Sequence, residues 1–320
     1  MRILLTTTSF QDTPGAHHDV LAASGFEIVR ARGPLSEAAL LELLAGPGGG
    51  FDGVLNGDDA ITARVIDAAL PRLKVIAKYG IGLDSIDVAH ATARKLPVLF
   101  TPGVNHTTVA EHTFGLMIGL AKQFWPHLRS TKAGQWKRLT GSELAGKRLA
   151  LLGLGRIGRE VARRAAAFDM LLTGYDLHWD EVFAERYGVR RATSLEDALA
   201  GAQVISLHMN LGSDNRRFLD AARLATLEPG AFIINTARGG LVDEAAIAAA
   251  CKAGTLGGYA TDVLEQEPPP ADHPFTGIDN ILVTPHVGSR THESVERQGL
   301  RAARNIVNFL RGDDDFIQAN

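Results

Sequence analysis

The sequence predicts an α/β protein with two doubly wound parallel-sheet domains, and three observations support this fold class. Short apolar runs alternate with helical patterns along the whole chain, which is typical of parallel sheets covered by helices. The chain has 320 residues, enough for two domains with separate cores. A glycine-rich turn, LLGLGRIGRE at 151–160, stands almost halfway along the chain. Because such a turn follows the first strand of its own domain, we expect the residues before it to form another domain.

The first part of the chain is predicted to form a small doubly wound domain that ends near Phe100. Its strand-like runs are RILLTT, FEIVRA, DGVLNG, LKVIAK and PVLFTP. Its helical patterns are HHDVLAAS, SEAALLELLAG, TARVIDAAL and IDVAHATARKL. Ser36 stands where a helix N-cap is expected, because its hydroxyl can accept an unpaired backbone N–H of the first turn.

The second part begins with a long helical pattern from about Thr107 to Phe124 and continues as a second α/β series. Its strand-like runs are RLALLG, MLLTGYD, QVISLHM, AFIINTA, GYATDV and NILVTPH. The last pattern, THESVERQGLRAARNIVNFLRG, is helical with no strand after it, so we expect it to pack on the first domain. We therefore predict a Rossmann domain at 101–286, inserted into a flavodoxin-like domain formed by 1–100 and 287–320.

The composition excludes several classes of protein. Lys and Arg total 33 against 36 Asp and Glu, a net charge of −3, so no nucleic-acid-binding basic surface is expected. The longest apolar stretch, FGLMIGLA, is far shorter than the roughly 20 residues that span a bilayer, and the N-terminal apolar run is too short for a signal peptide. We expect a cytoplasmic protein without a membrane partner or a metal site. The single cysteine, Cys251, excludes an intramolecular disulfide, and we expect it to pack within a helix.

The glycine-rich turn has the context that a dinucleotide-binding fingerprint requires. Gly153, Gly155 and Gly158 follow the apolar run RLALL and begin the helical pattern RIGREVARRAAAF. The first glycine allows the tight turn, the second lets a pyrophosphate approach the backbone, and the third lets helix and strand pack closely. The helix N-terminus then offers unpaired N–H groups to the phosphates, and Arg156 can add a positive charge.

An acidic residue stands where a ribose-binding group is expected. Asp176 ends the next strand-like run, 18 residues after Gly158, close to the usual spacing of about 20. A carboxylate there accepts from the ribose 2′-hydroxyl and repels a 2′-phosphate, and the following residues, LHW, include no Arg or Lys. The pattern therefore favours NAD over NADP, against the alternative of a structural glycine turn with an exposed Asp.

Three segments stand at predicted strand ends, where open α/β sheets bind their ligands: NTARGG, VLEQEPP and TPHVG. Hydride transfer to a 2-oxo acid needs a cation, a proton donor and a carboxylate that orients the donor. The cation polarises the carbonyl and holds the substrate carboxylate. Arg238, His286 and Glu267 supply one group of each kind, and we predict that they form the catalytic set.

The ordered set of motifs resembles the D-isomer-specific 2-hydroxyacid dehydrogenases, a family that includes D-3-phosphoglycerate dehydrogenase. The resemblance covers nearly the whole chain and rests on GLGRIG with Asp176, NTARGGLVDEAAI, GGYATDVLEQEPP and TPHVGSRT, in this order. It implies that Arg238, Glu267 and His286 are the catalytic residues. It also implies that Asp262 holds the nicotinamide amide.

The resemblance implies further binding residues. In KYGIGLDSID, Tyr79 lies next to Gly80 and Ile81, whose backbone N–H groups would hold the substrate carboxylate together with Arg238. The additional cofactor contacts that it implies are Ile157, His208, Thr236, Ala237 and Gly288. It implies a homodimer as well, with the helix near 107–124 in the interface.

Some positions depart from the family pattern. Asn56 stands where the phosphoglycerate enzymes usually have Arg, and Asp58 and Asp59 follow it, so we expect a phosphorylated substrate to be disfavoured. Asn210 replaces a frequent proline in the loop that borders the adenosine. Formate dehydrogenases of this fold carry Gln where Glu267 stands, which disfavours formate.

The sequence therefore predicts an NAD-dependent oxidoreductase that transfers a hydride between nicotinamide and C2 of a D-2-hydroxy acid or 2-oxo acid. The alternative is an NAD(H)-sensing protein of the same fold that resembles a transcriptional corepressor, since such relatives retain the catalytic residues. The sequence leaves open the identity of the hydroxy acid and the preferred direction of the reaction.

Overall fold

The structure, a computed structural model, describes residues 1–46 and 48–320, which form two compact α/β units. Unit 1 comprises residues 1–105 and 290–320, and unit 2 comprises residues 106–289. The predicted fold class, two parallel-sheet α/β domains, is confirmed. In the described residues, no helix combines the length and the apolar character that crossing a bilayer requires.

The unit boundaries lie a few residues beyond the positions expected from the sequence, 100/101 and 286/287, and hydrogen bonds explain the difference. Thr101 donates its backbone N–H to Gly80 O at 3.0 Å, which ties the segment after the fifth strand to unit 1. Gly288 donates its N–H to Asp262 Oδ2 at 2.7 Å, which keeps the segment after the last strand in unit 2.

Unit 1 has a five-stranded parallel sheet. Its strands are β1 Arg2–Leu5, β2 Glu27–Arg30, β3 Gly53–Asn56, β4 Val75–Lys78 and β5 Val98–Leu99. Its first helices are α1 Thr8–Asp12, α2 His17–Ala22, α3 Glu37–Ala45, α4 Ala63–Ala69 and α5 Val88–Ala93. The strand order β2-β1-β3-β4-β5 is the flavodoxin-like order, as predicted.

Local sequence explains how these elements form. The Ser36 hydroxyl accepts from Ala39 N at 3.3 Å, so the predicted N-cap of α3 is confirmed. Successive residues of β1 face opposite sides of the sheet, which places Ile3 and Leu5 in one core cluster and Leu4 in the other. Helices cover both faces, which is why the strands of this unit are apolar runs rather than alternating patterns.

Unit 2 has a seven-stranded parallel sheet. Its strands are β6 Arg148–Leu152, β7 Leu171–Tyr175, β8 Val189–Arg191, β9 Val204–Leu207, β10 Ala231–Asn235, β11 Leu256–Thr261 and β12 Ile281–Val283. Its helices are α6 His106–Ala121, α7 Phe124–Lys132, α8 Arg156–Ala167, α9 Glu181–Tyr187, α10 Leu195–Leu199, α11 Ala221–Leu224 and α12 Glu244–Ala253, with a 3₁₀ turn at Gly239–Leu241. The order β12-β11-β10-β9-β6-β7-β8 is the Rossmann order extended by one strand.

Two elements of unit 2 differ from the expectation. The strand Val189–Arg191 was not predicted from the sequence, because it has only three residues and a single buried side chain. The predicted helix from 107 to 124 corresponds to α6, which ends at Ala121. Gln123 then adopts a left-handed conformation with φ +52°, and a further helix, α7, begins at Phe124.

The last helix, α13 His292–Arg311, belongs to unit 1. Its buried face includes Val295, Ile306 and Leu310, which pack in the same core cluster as Ile3. The final helical pattern therefore completes the core of the first unit.

Candidate active site

The glycine-rich turn joins β6 to α8 and has the space that the fingerprint predicts. Gly153 has φ +99°, and a Cβ there would lie 2.6 Å from the carbonyl atoms of His208. A Cβ on Gly158 would overlap the carbonyl oxygen of Gly153. A Cβ on Gly155 would meet no atom within 4 Å, so the protein itself does not require this glycine. The open space at Gly155 suits a ligand that approaches the backbone, as a pyrophosphate does.

The N-terminus of α8 is suited to an anion. Gly155 is the N-cap residue, so no side chain caps the first turn, and no acidic residue lies in that turn. Arg156 is exposed at the start of the helix, and Ile157 is half-buried behind it. The unpaired N–H groups and the helix dipole make this end a favourable site for phosphate.

Asp176 is held at the same turn. Its Oδ2 accepts from Leu154 N at 2.5 Å, and its Oδ1 accepts from His178 N at 2.7 Å. A carboxylate has about four lone-pair sites, so these two bonds leave acceptor capacity for a ribose hydroxyl. The contact with Leu154 also fixes the position of the carboxylate relative to the glycine-rich turn.

His208 follows β9 and packs under the glycine-rich turn. Burial lowers the pKa of its imidazole to about 3, so the ring is neutral at physiological pH. Its Nε2 lies 2.8 Å from Ser206 Oγ, while Nδ1 is buried without a hydrogen-bond partner in the described structure. A Cβ on Gly153 would meet the His208 carbonyl, and a Cβ on Gly158 would lie 3.6 Å from the His208 Cβ, so His208 borders the glycine-rich turn.

The turn after β10 carries three predicted residues, and Asn235 organises it. Asn235 Oδ1 accepts from Ala237 N at 3.0 Å, and Asn235 Nδ2 donates to Arg238 O at 2.9 Å. The hydroxyls of Thr236 and Thr113 lie 2.8 Å apart. The half-buried Arg238 donates through Nη1 to Ala237 O at 2.7 Å. This turn leads directly into the 3₁₀ turn at 239–241.

The turn that carries Arg238 lies against the loop that carries Glu267. A Cβ at Gly239 would overlap the backbone of Leu264, so the two segments touch at a point that only glycine permits. Leu264 N donates to Glu267 Oε1 at 2.8 Å, which fixes one carboxylate oxygen. Two of the three predicted catalytic residues therefore lie on neighbouring segments at the carboxyl ends of β10 and β11.

Glu267 and His286 form a hydrogen-bonded pair. His286 Nδ1 lies 2.7 Å from Glu267 Oε2, and both side chains are partly exposed, 46% for the histidine and 36% for the glutamate. The bond orients the imidazole through Nδ1. His286 has φ +52°, a left-handed conformation that few residues with a Cβ adopt.

Asp262 anchors the turn that contains His286. Its Oδ1 accepts from Thr284 Oγ1 at 2.6 Å and from Val287 N at 2.9 Å, and its Oδ2 accepts from Gly288 N at 2.7 Å. Burial of this carboxyl opposes ionisation, but hydrogen bonds from His112, Thr284 and the turn outweigh burial and lower its pKa. The ionised carboxylate thus holds the chain on both sides of His286.

A charged cluster holds the loop before Glu267. Glu265 Oε1 accepts from Arg216 at 2.5 Å, and Glu265 Oε2 accepts from Arg217 at 3.0 Å. The backbone N–H of Glu265 donates to Glu244 Oε1 at 2.9 Å. These contacts connect the loop to the segment after β9 and to α12.

Three of the four residues predicted to bind substrate, Tyr79, Gly80 and Ile81, lie in unit 1 directly after β4, and the fourth, Arg238, lies in unit 2. Burial raises the pKa of the Tyr79 hydroxyl to about 12, and the nearby Ser9 hydroxyl offsets part of the effect. Gly80 has φ +130°, and its N–H donates to Thr101 Oγ1 at 3.0 Å. Ile81 follows and is half-buried. A substrate carboxylate would have to replace Thr101 as the acceptor for the Gly80 N–H.

The expectation that Asp58 and Asp59, after β3, both present negative charge to a phosphate is wrong. Asn56 and Asp59 are fully buried, and Asp59 accepts from Thr6 Oγ1 at 2.5 Å as part of the interior. Asp58 is exposed, but its Oδ1 pairs with Lys78 Nζ at 2.7 Å. Of the two acidic residues, one is unavailable and the other has a cationic partner, so they do not present two uncompensated charges.

Two other expectations can be compared with the structure. Cys251 is buried in α12, and burial raises the pKa of its thiol to about 12, which fits a packing residue. Across the described residues, no group of three His, Cys, Asp or Glu side chains is placed to hold a metal ion.

Comparison with known proteins identifies the family of this chain. Residues 114–288 match the family model for the D-isomer specific 2-hydroxyacid dehydrogenase, NAD binding domain. The chain belongs to the D-isomer specific 2-hydroxyacid dehydrogenase family. As a member of this family it is an NAD-dependent oxidoreductase. The matched segment contains the glycine-rich turn, Asp176 and the predicted catalytic residues Arg238, Glu267 and His286.

Individual relatives agree with the assignment to this family. The chain is 39% identical over 264 residues to the glyoxylate reductase of Thermofilum pendens, a match covering 80% of this chain and 77% of that protein. It is 39% identical over 262 residues to the D-3-phosphoglycerate dehydrogenase of Methanocaldococcus jannaschii, covering 81% of this chain and 50% of that protein. This chain therefore spans about half the length of that phosphoglycerate enzyme.

Solved structures show the same fold over the whole chain. A protein from Thermus thermophilus superposes with a TM-score of 0.89 at 34% identity and covers 100% of both chains. A glyoxylate reductase from Paecilomyes thermophila superposes with a TM-score of 0.85 at 26% identity, covering 100% of this chain and 98% of that one. The named enzymes among these relatives support the enzymatic interpretation, and none of them is described as a corepressor.

Several residues that shape the site were not predicted from the sequence. Asn235 begins the motif NTARGG and Thr284 begins the motif TPHVG, so their proximity to the predicted residues was a usable signal. Glu265 lies within the quoted segment VLEQEPP, whereas its partner Arg216 lies in none of the quoted motifs. His112, a polar residue in an otherwise apolar helical pattern, contacts Thr284 at 2.9 Å.

Proposed function

We propose that this enzyme transfers a hydride between NAD and C2 of a short 2-oxo acid or the corresponding D-2-hydroxy acid. The observation that carries this proposal is the 2.7 Å hydrogen bond between Glu267 and His286, in the unit that has the dinucleotide turn. NAD supplies or accepts the hydride when bound. The chain's own residues position the reactants and move the proton.

The proposed roles of the catalytic residues follow from their chemistry. In reduction, His286 donates a proton to the oxygen that develops at C2, and in oxidation it accepts that proton. Glu267 orients the imidazole through Nδ1, and its charge favours the protonated ring. Arg238 supplies the cation that polarises the carbonyl and holds the substrate carboxylate.

The cofactor is proposed to bind along the carboxyl edge of the unit 2 sheet. The pyrophosphate would be held by the N–H groups at the start of α8, and the ribose 2′-hydroxyl by Asp176. Asp262 would accept from the nicotinamide amide through its remaining lone pair. The residues proposed to contact the cofactor are Gly153, Gly155, Arg156, Ile157, Gly158, Asp176, His208, Thr236, Ala237, Asp262 and Gly288.

For the substrate we propose a small 2-oxo acid such as glyoxylate, bound by Tyr79, Gly80, Ile81 and Arg238. The glyoxylate reductase relative supports this choice, because this chain covers 77% of its length. The pairing of Asp58 with Lys78 removes the electrostatic argument against a phosphorylated substrate. A phosphorylated oxo acid therefore belongs in the substrate panel.

We also propose a homodimer that forms through the surface of α7 and the segment after it. This surface exposes large apolar side chains, whereas α6 buries most of its residues within unit 2. The α7 surface consists of Phe124, Trp125, Leu128, Trp136 and Leu139, and Trp136 is 79% exposed. Such a contiguous apolar surface is typical of an interface. We further propose a cytoplasmic location, where a cysteine such as Cys251 stays reduced.

Light scattering tests the dimer. Trp125→Glu with Trp136→Glu should halve the molecular mass if the α7 surface is the interface. Val182→Ser, which alters an equally exposed apolar residue on α9, should leave the mass unchanged. An unaltered mass in the double variant would contradict the proposed interface.

A turnover assay tests the proposed function. The purified protein is mixed with NADH or NADPH and with glyoxylate, pyruvate, hydroxypyruvate or phosphohydroxypyruvate, and nicotinamide absorbance is followed. We expect turnover with at least one unphosphorylated oxo acid and a preference for NADH. The turnover rate of His286→Ala should be lower than that of the parent by on the order of 10²–10⁴-fold, while the variant still binds NADH. NADH binding with negligible turnover on every acid would instead support the corepressor-like alternative.

A further inference from the structure

His112 on α6 faces the turn that carries His286, from within the same unit. Its Nε2 lies 2.9 Å from Thr284 Oγ1 and 3.4 Å from Asp262 Oδ1. The helix around it is apolar, and neighbours such as Val109 and Leu116 are buried. A polar ring at this position therefore needs an explanation beyond packing.

The direction of the hydrogen bonds follows from the number of available protons. Thr284 has one hydroxyl hydrogen, and its oxygen lies 2.6 Å from Asp262 Oδ1, an acceptor only. The alternative acceptor, Thr261 O, is 3.4 Å away, so the hydroxyl proton goes to the carboxylate. His112 must then donate from Nε2 to Thr284. The result is a directed chain from His112 through Thr284 to Asp262.

This chain ends at the group that holds the reactive turn. Asp262 also accepts from the backbone N–H groups of Val287 and Gly288. Thr284 and Val287 therefore bracket His286, whose φ of +52° is unfavourable for a residue with a Cβ. Such a conformation persists only where the surrounding structure over-determines it.

His112 also restricts the turn sterically. A Cβ on Gly288 would lie 3.4 Å from His112 Cδ2 and 2.8 Å from Asp262 Oδ2. The imidazole therefore lies against the backbone of the turn as well as against the Thr284 hydroxyl. Both contacts limit how far the segment around His286 can move.

We propose that His112 is a positioning residue for the reaction, because it donates to Thr284 and so holds the Asp262-anchored turn that presents His286. This inference rests on the proposed role of His286 as the proton donor. It assigns a function to a helix that none of the recognised motifs includes. If the His112 imidazole served only for packing, it would not need an N–H that donates to Thr284.

The test compares a variant that removes the donor with one that keeps it. His112→Leu should lower kcat on the order of tenfold, the consequence of one hydrogen bond lost from a charged network, and leave KM for the oxo acid within about twofold. His112→Gln, whose amide can still donate, should recover most of kcat. Glu111→Gln, on the same helix as His112, breaks the exposed ion pair between Glu111 and Arg164 of α8 and should leave kcat unchanged.

A double-mutant cycle shows whether the two residues act as one chain. Thr284→Val removes both the acceptor for His112 and the donor to Asp262. If the chain is real, the double variant should lose little more activity than Thr284→Val alone. The proposal would be overturned if the losses of kcat in the two single variants multiplied in the double variant. It would also be overturned by an unchanged kcat in His112→Leu or by a kcat that does not recover in His112→Gln. Circular dichroism verifies folding, and Thr284→Ala, which also removes the hydroxyl, replaces Thr284→Val if the valine variant fails to fold.

A readout independent of turnover separates this inference from the proposed function. Imidazole NMR resonances, with the signal of His286 assigned by its loss in His286→Ala, should shift or broaden in His112→Leu but not in Glu111→Gln. An unmoved signal would contradict the positioning role. If the unmodified protein turned over no oxo acid, the proposed function would fail, and these resonances would still report whether His112 holds the turn.

Discussion

Replacing Asp262 with Asn removes the charge that anchors the reactive turn and changes little else in size. Asp262 is 4% exposed and accepts short hydrogen bonds from Thr284 Oγ1, Val287 N and Gly288 N, at 2.6, 2.9 and 2.7 Å, while His112 Nε2 lies farther away, 3.4 Å from Oδ1. Asparagine has one acceptor oxygen and one amide that only donates. At least one of the three donors must therefore lose its partner.

The size of the effect follows from this mismatch. With the asparagine oxygen facing Thr284 and Val287, its amide faces the Gly288 N–H, and a buried donor is left unpaired. One unsatisfied buried group costs about 1–3 kcal/mol, and the two remaining hydrogen bonds become weaker without the charge. We expect unit 2 to lose about 2 kcal/mol or more of its free energy of unfolding. For a domain of about 150–250 residues, 2 kcal/mol lowers Tm by roughly 4–8 °C.

The pH dependence of this loss has a definite sign. Burial alone would raise the pKa of Asp262, but hydrogen bonds from His112, Thr284 and the turn lower it in the folded protein. A group with a depressed folded pKa stabilises the protein above its unfolded pKa, and this stability is lost as pH falls through the folded pKa. The difference between parent and Asp262→Asn should be constant from pH 8 to about 5. It should shrink only below about 3.9, the ordinary pKa of Asp.

Thermal unfolding followed by circular dichroism at several pH values measures both quantities, and turnover is measured in parallel. Asp59→Asn is the matched control, because Asp59 is a fully buried, hydrogen-bonded aspartate in unit 1. The control should also lose stability but leave the His286 turn intact, so its kcat should fall less than that of Asp262→Asn. A Tm within 1–2 °C of the parent, or a difference that grows in acid, would refute the reasoning about Asp262.

Three further substitutions test other parts of the site. Asp176→Ala removes the carboxylate that repels a 2′-phosphate, so the ratio of kcat/KM for NADPH to that for NADH should rise; a parent enzyme that already prefers NADPH would contradict this role. Glu267→Gln keeps a hydrogen bond to His286 but removes the charge that favours the protonated ring, so reductase activity should be lost at a lower pH than in the parent. Unmoved pH profiles in both directions would count against that pairing. Gly158→Ala forces a Cβ onto the carbonyl of Gly153 and should abolish NADH binding, which is measured by fluorescence. Retention of tight NADH binding would show that the helix can shift to make room.

The sequence was informative wherever function depends on neighbouring residues. The glycine-rich turn, its helix and Asp176 lie within one strand–helix–strand unit, so spacing alone predicted their contact. The pairing of Glu267 with His286 was also predicted, because both residues follow strands of the same parallel sheet, and the carboxyl ends of such strands share an edge. The N-cap at Ser36 followed from the chemistry of its hydroxyl.

Local patterns failed where the decisive contact joins distant parts of the chain. The sequence predicted the same role for the adjacent residues Asp58 and Asp59, which were both expected to disfavour a phosphorylated substrate. In the structure, Asp58 pairs with Lys78 at the surface, whereas Asp59 is buried in the interior. Their difference depends on which neighbours the sheet brings to each side chain. The break between α6 and α7 likewise depends on the left-handed conformation of Gln123, which its residue type does not predict.

His112 shows most clearly what the sequence determined by itself and what only the tertiary structure decided. The motifs around His286 were sufficient to predict the proton donor and its carboxylate partner, and the glycine-rich turn with Asp176 was sufficient to predict the cofactor. His112 and Thr284 are 172 residues apart, and no periodicity or spacing connects them. Hydrogen bonds act over about 3 Å, so a contact between distant residues exists only after the helix and the strand end have packed together.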